Sequence, residues 1–184
     1  MNAAALVLAA GEGTRMKSAL PKVAHPVLGV PMVRLVVAAA REAGIERVVA
    51  VVGHRADIVE AILEGETCVL QEQQLGTGHA VMSATDALAD LSGSLVVLAG
   101  DTPLITSETI RTLVERREEA DAAASVLTMR VEDPTGYGRI VRDDDGAVAG
   151  IVEQADLGPD QLGIDEVNTS TYCFDAEALL SRVG

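Results

Sequence analysis

Three apolar runs, each six residues long, constrain this chain more than anything else in it. They are Ala4–Ala9 (AALVLA), Arg47–Val52 (RVVAVV) and Ser94–Ala99 (SLVVLA). A strand with one wet face alternates apolar and polar residues. A run without alternation needs cover on both faces, as a parallel strand has between two layers of helices. Each run stops within two residues at a glycine: Gly11, Gly53 and Gly100.

The segments between these runs read as helices and shorter strands. Pro31 opens a helix to about Ala43, and Gly44 stops it. Asp57–Leu63 reads as a helix, Thr67–Leu70 as a strand, and His79 to about Leu88 as a helix after the polar loop Gln71–Gly78. Thr106 or Ser107 caps a helix to about Ala120, with Glu108 in its first turn. Ala122–Arg130 is a strand, after which the texture changes. Arg139–Arg142 and Ala147–Val152 flank the turn Asp143–Gly146 and predict a hairpin. A polar loop spans Asp156–Gly163, Val167–Phe174 is a last strand, and Asp175 caps a final helix. The expected fold is α/β in a single domain, residues 1–184. It has a mostly parallel sheet, helices on both faces and an antiparallel hairpin in the second half. Right-handed crossovers would gather the strands' C-terminal ends on one rim, where ligands of such folds bind. Three loops of special composition fall there: Gly11-Glu12-Gly13, Gln71–Gly78 and Gly100-Asp101.

Composition narrows the partners. With 48% apolar and 23% charged residues the chain can bury a core. No apolar run is long enough for a membrane span or a signal peptide, so a cytoplasmic location is expected, with no membrane partner. A net charge of -14 disfavours nucleic acid as a partner. Against that charge, the only two lysines, Lys17 and Lys22, lie in one short segment with Arg15. Cys68 and Cys173 sit in apolar strands and read as buried free thiols rather than a disulfide. His25, His54 and His79 lack metal-ligand spacing and read as structural or capping residues.

Three motifs carry chemistry. The first is Leu8-Ala9-Ala10-Gly11-Glu12-Gly13-Thr14-Arg15-Met16, followed by Pro21-Lys22. Small residues after a strand let backbone N–H groups approach a phosphate, and Arg15 and Lys22 can reach the same phosphates. The dinucleotide fingerprint fails because Met16 occupies its third glycine position, and no G-K-[ST] follows for a Walker loop. The second is Gln71-Glu72-Gln73-Gln74-Leu75-Gly76-Thr77-Gly78. Its amides, Gln71 and Gln74 among them, offer paired donors and acceptors suited to the edge of a uracil; a polar loop with a helix cap is the alternative. The third is Gly100-Asp101. A strand-end carboxylate suits Mg²⁺, which needs one or two protein carboxylates beside phosphates and water; a turn aspartate is the alternative. Gly136-Tyr137-Gly138, Glu153 and Asn168 are further polar or flexible points at loop and strand ends.

The strings LAAGEGTRMKSALPKVAHPVLG, VLQEQQLGTGHAV, AGDTPLI, DPTGYGRIVR, GIVEQAD and EVNTSTYCFD run from Leu8 to Asp175, almost the whole chain. Together they resemble the uridylyltransferase domain of the bacterial bifunctional N-acetylglucosamine-1-phosphate uridyltransferases. Thymidylyltransferase relatives differ before G-T-R, and cytidylyltransferases that share A-A-G-x-G-x-R-M lack QLGTGHA and PTGYGR.

The resemblance implies a Rossmann-like nucleotidyltransferase fold and one reaction. UTP and N-acetylglucosamine 1-phosphate would give UDP-N-acetylglucosamine, a cell-wall precursor, and pyrophosphate. It also implies a role for each position. Leu8, Ala9, Ala10, Gly11 and Gly13 would hold the nucleotide, with Gln71, Gln74, Gly76 and Thr77 at the base. Arg15 and Lys22 would bind the triphosphate and the transferring phosphoryl group. Gly100 would line the site and Asp101 would ligate Mg²⁺. Gly138, Glu153 and Asn168 would contact the acetylated amino sugar. Ala99 stands where the family often has tyrosine. The family's second metal ligand, an asparagine, lies in a segment beyond Gly184, as does its β-helix acetyltransferase domain. A monomer or weak dimer without acetyltransferase activity is therefore expected of these residues. Two other readings stay open: a non-catalytic module that binds a nucleotide sugar, and a related nucleotidyltransferase for another sugar phosphate.

Overall fold

A computed structural model describes residues 2–13 and 16–183. The chain divides into two compact units, residues 1–125 with 172–184, and residues 126–171.

The first unit is built around β1 (Ala3–Ala9), which lies between β4 (Arg47–Val52) and β6 (Ser94–Ala99), parallel to both. β5 (Thr67–Leu70) extends the sheet beyond β4, again in parallel. The three apolar runs are thus adjacent strands. Their two-sided cover explains the missing alternation: Ala4, Leu6, Val7, Val51, Leu95 and Val96 are all fully buried. One face packs on α3 (Thr77–Ser83) and α4 (Thr85–Leu88) through Ala80, Ala84 and Leu88. The helices α1 (Met32–Glu42) and α5 (Ser107–Glu119) pack against one another. They bury Val33, Val36, Ile110, Leu113 and Val114. α2 (Ala56–Ile62) buries Val59. A small hairpin of β2 (Pro26–Val27) and β3 (Val30–Pro31) precedes α1.

The second unit contains the predicted hairpin, β8 (Arg139–Arg142) with β9 (Val148–Val152). Asp143 Oδ1 accepts from the Asp145 and Ala147 amides and shapes the turn. β7 (Ala124–Arg130) and β10 (Glu166–Asp175) run alongside, and Thr169 Oγ1 donates to the Leu127 carbonyl at 2.7 Å. In this unit β10 is antiparallel to β8, with Val167 opposite Arg139.

The last four residues of β10 belong to the first unit and correct one expectation. They run antiparallel to β6, with Tyr172 opposite Val97 and Asp175 opposite Ser94. The strand ends do not all share one rim, because β10 enters from the other end. α6 (Ala176–Val183) follows, its first turn capped by Asp175 Oδ1 accepting from the Ala178 amide at 2.8 Å. Two smaller corrections concern a helix and a thiol. The helix expected over His79–Leu88 begins at Thr77 and breaks at Ala84, where Ser83 and Thr85 hydroxyls bond back to the His79 and Met82 carbonyls. Cys173 is buried, but Cys68, on edge strand β5, is only half-buried; both are free thiols. Among the described residues no helix is long and apolar enough to cross a membrane.

Candidate nucleotidyltransferase site

In the first unit, the loop after β1 is fixed by its neighbours. Gly100 N–H donates to the Leu8 carbonyl at 2.9 Å, and His54 N–H to the Ala10 carbonyl at 3.3 Å. A Cβ on Gly100 would lie 2.8 Å from the Leu8 oxygen, so only glycine lets the two strand ends meet. Ala9 and Ala10 are buried, whereas Gly11 is exposed. Gly13 has φ +65, and a Cβ there would lie 2.6 Å from Lys22 Cβ. The glycine turn and Lys22 are therefore in close contact. Val23 and Ala24 anchor that segment in the core, in a short 3-10 turn over Lys22–Ala24. Arg15 lies outside the described residues.

Lys22 is ion-paired with Asp101, the residue after Gly100. Their side chains are 46% and 28% exposed, so solvent screens the pair and its net worth is small, about 0–1 kcal/mol. A weak bridge leaves both groups ready to exchange partners, the ammonium for a phosphate and the carboxylate for a cation. Among the described residues no cluster of three His, Cys, Asp or Glu could hold a metal by itself. A lone, partly exposed carboxylate suits a hard divalent cation that draws its remaining ligands from phosphate and water.

The loop after β5 brings a second set together. Gln71 is only 4% exposed, and its amide N–H donates to the Val52 carbonyl at 2.7 Å. Its side-chain Nε2 lies 3.3 Å from the Gly76 carbonyl and 2.9 Å from His79 Nδ1. Gln74, Gly76 and Thr77 are exposed on the same loop. Sequence reasoning missed the role of His79. A histidine eight residues from a buried glutamine was the available signal, but reading it requires knowing that the loop folds back.

In the second unit, three residues predicted from sequence converge. The Asn168 amide donates to the Gly138 carbonyl at 2.9 Å. Glu153 Oε1 stands 3.1 Å from where a Cβ on Gly138 would project. Asn168 Oδ1 accepts from the Ser170 amide at 3.0 Å. Two further residues brace this group. Gln154 Oε1 accepts from the Gly136 amide at 3.0 Å and from Arg139 at 3.1 Å. Arg139, buried, also donates to the Tyr137 carbonyl. Their signal was adjacency, since Gln154 follows Glu153 and Arg139 follows Gly138. Nearby, Arg142 grips Glu166 with two bonds of 2.9 and 2.7 Å and holds that carboxyl at a pKa of about 2.

Comparisons with known proteins agree with this geometry. Residues 5–152 match the family of MobA-like NTP transferase domains. The bifunctional protein GlmU of Trichlorobacter lovleyi is 50% identical over 98% of this chain and 40% of its own length. That of Halalkalibacterium halodurans is 53% identical over 99% of this chain and 40% of its own length. The chain thus spans about 40% of the length of these curated relatives. A crystal structure from Bacillus anthracis, assigned as a glucose-1-phosphate thymidylyltransferase in complex with a sucrose, shares the fold. Its TM-score is 0.78 at 23% identity, over 96% of this chain and 73% of that one. A mostly parallel sheet, a glycine loop pinned between strand ends and a matched family over most of the length lead to one assignment: this chain belongs to the MobA-like NTP transferase domain family, as a nucleotidyltransferase domain.

Proposed function

We propose that this domain transfers the uridylyl group of UTP to N-acetylglucosamine 1-phosphate, releasing pyrophosphate and forming UDP-N-acetylglucosamine. The observation that carries the reading is the pairing of Lys22 with Asp101 beside the glycine turn, which sets one cation and one carboxylate next to a loop of small residues. The quoted motifs and the 50–53% identity to bifunctional GlmU proteins support the choice of base and sugar.

The chemistry asks little of side chains as acids or bases. The sugar phosphate is anionic near neutral pH and attacks the α-phosphorus of UTP through its own oxygen, expelling pyrophosphate. The chain's task is alignment and charge neutralisation. Backbone groups of Leu8–Gly13 hold the nucleotide, and Gln71, Gln74, Gly76 and Thr77 face the base. Lys22 and Arg15 offset charge on the phosphates. Gly138, Glu153 and Asn168 contact the sugar and its acetamido group. Mg²⁺, held by Asp101, would supply further neutralisation of phosphate charge when bound. The supply of UTP puts the reaction in the cytoplasm.

The test is pyrophosphate release with Mg²⁺, UTP and N-acetylglucosamine 1-phosphate. Asp101→Ala should lower it about 10²- to 10³-fold, the scale of removing one preorganised electrostatic partner. Release that is equal in wild type and variant would refute the role of Asp101. UDP-N-acetylglucosamine binding without any release would favour the non-catalytic binding module.

A further inference from the structure

The geometry points to His79 as the residue that sets base selectivity, by locking the Gln71 side-chain amide in one orientation. This rests on the uridylyl reading above and names a positioning residue that does not itself touch the nucleotide.

The argument is an inventory of donors and acceptors. A glutamine amide has two N–H donors on one atom and an acceptor on the other. Gln71 Nε2 faces two groups, the Gly76 carbonyl at 3.3 Å and His79 Nδ1 at 2.9 Å. A carbonyl only accepts, so the amide atom beside Gly76 must be the NH₂ group. Its second hydrogen then points to Nδ1, which accepts in the imidazole tautomer that carries its proton on Nε2. Both N–H groups are thereby engaged, and Oε1 makes no hydrogen bond among the described residues. A flipped amide would set Oε1 against two acceptors, and with Gln71 only 4% exposed water is poorly placed to relieve that.

His79 is held as firmly as its task requires. It lies in the first turn of α3, and its carbonyl accepts from Ser83 Oγ at 2.9 Å. The next residue, Ala80, is buried in the core cluster and donates its amide to the Gly76 carbonyl at 3.1 Å. One carbonyl, that of Gly76, thus ties the loop to both the helix and the glutamine.

The consequence is chemical. The amide presents only an acceptor to a base. Uracil offers a donor, N3–H, on its pairing edge, and cytosine offers an acceptor at the same place. Oε1 therefore bonds one and repels the other. Without His79, one N–H loses its partner, the amide is free to turn, and the distinction weakens.

The experiment is equilibrium binding of UTP and CTP, each with Mg²⁺, to the wild-type chain and to two variants. His79→Leu removes the acceptor. His79→Asn keeps one, because Asn Oδ1 stands where Nδ1 stood. A thermal melt of each variant reports whether it is folded. The CTP-to-UTP ratio of Kd values should fall about five- to tenfold in His79→Leu, the scale of one lost hydrogen bond, and return toward wild type in His79→Asn. A ratio unchanged in folded His79→Leu, or lowered equally in both variants, overturns the inference. A wild type that binds the two nucleotides alike overturns the uracil reading itself, and the role of His79 with it.

Discussion

The strand β1 and the hairpin β8–β9 are built on opposite principles. Along β1 five of seven residues from Ala3 to Val7 are buried without interruption, and every neighbour is another apolar strand. The hairpin has half its length in solvent, with Val148, Ala149 and Ile151 exposed. It is fastened instead by charge, through Arg142 to Glu166 and the Asp143 turn. Apolar burial is indifferent to pH and intolerant of lost volume. A charge-assisted clasp tolerates changes in size but depends on the charge state of its carboxylate.

The largest expected effect comes from opening a void under β1. Leu6 is fully buried, so Leu6→Ala should cost about 2–5 kcal/mol, read as a lower urea midpoint at pH 7, with the acid sensitivity of the protein unchanged. Glu166 should behave in the reverse way. Its folded pKa is depressed from 4.5 to about 2, chiefly by the Arg142 hydrogen bonds. The carboxylate's contribution is therefore complete above pH 4.5 and is lost as pH falls from there toward 2. Glu166→Gln should cost about 1–2 kcal/mol at pH 7 and flatten the stability profile across that window. A Leu6→Ala protein with altered acid sensitivity, or a Glu166→Gln protein with the wild-type profile, would break the contrast. The smallest effect tests whether location or chemistry matters in the first unit. Thr106 Oγ1 caps α5 by accepting from the Thr109 amide at 3.1 Å. Thr106→Ala should cost about 1 kcal/mol, measured by thermal melting, far less than Leu6→Ala in the same unit.

The same contrast explains what could be read in the chain before its structure. The bounds of β4 and β6 coincide with the expected strands, because burial on both faces leaves an unbroken apolar signature; those of the edge strand β5, exposed at Thr67 and Leu70, coincide as well. The direction of β10 was not legible. An apolar run says that a strand is covered, not which way it runs, and the pairing of Tyr172 with Val97 is a long-range choice. The β2–β3 hairpin escaped notice because prolines bound it at Pro26 and Pro31 and its strands are two residues each. Its turn residues Leu28 and Gly29 both have positive φ, which leucine does not advertise. In the candidate site, Gly13, Lys22, Gly76 and Asp101 stood out because glycines after strands admit a phosphate, the two lysines cluster in an acidic chain, and a strand-end carboxylate suits a cation. His79, Arg139 and Gln154 act through partners that only the folded loops supply.

Gly13 has a consequence of a mechanical kind. Its Cα sits where a side chain would strike Lys22 Cβ, so the lever that carries the ammonium pivots on a missing methyl group. Residue 13 thereby acts as a spacer of zero thickness, and the reach of the cation toward Asp101 is calibrated by the absence of atoms one loop away. A residue exchange there would leave the charge count of the site intact while moving its aim.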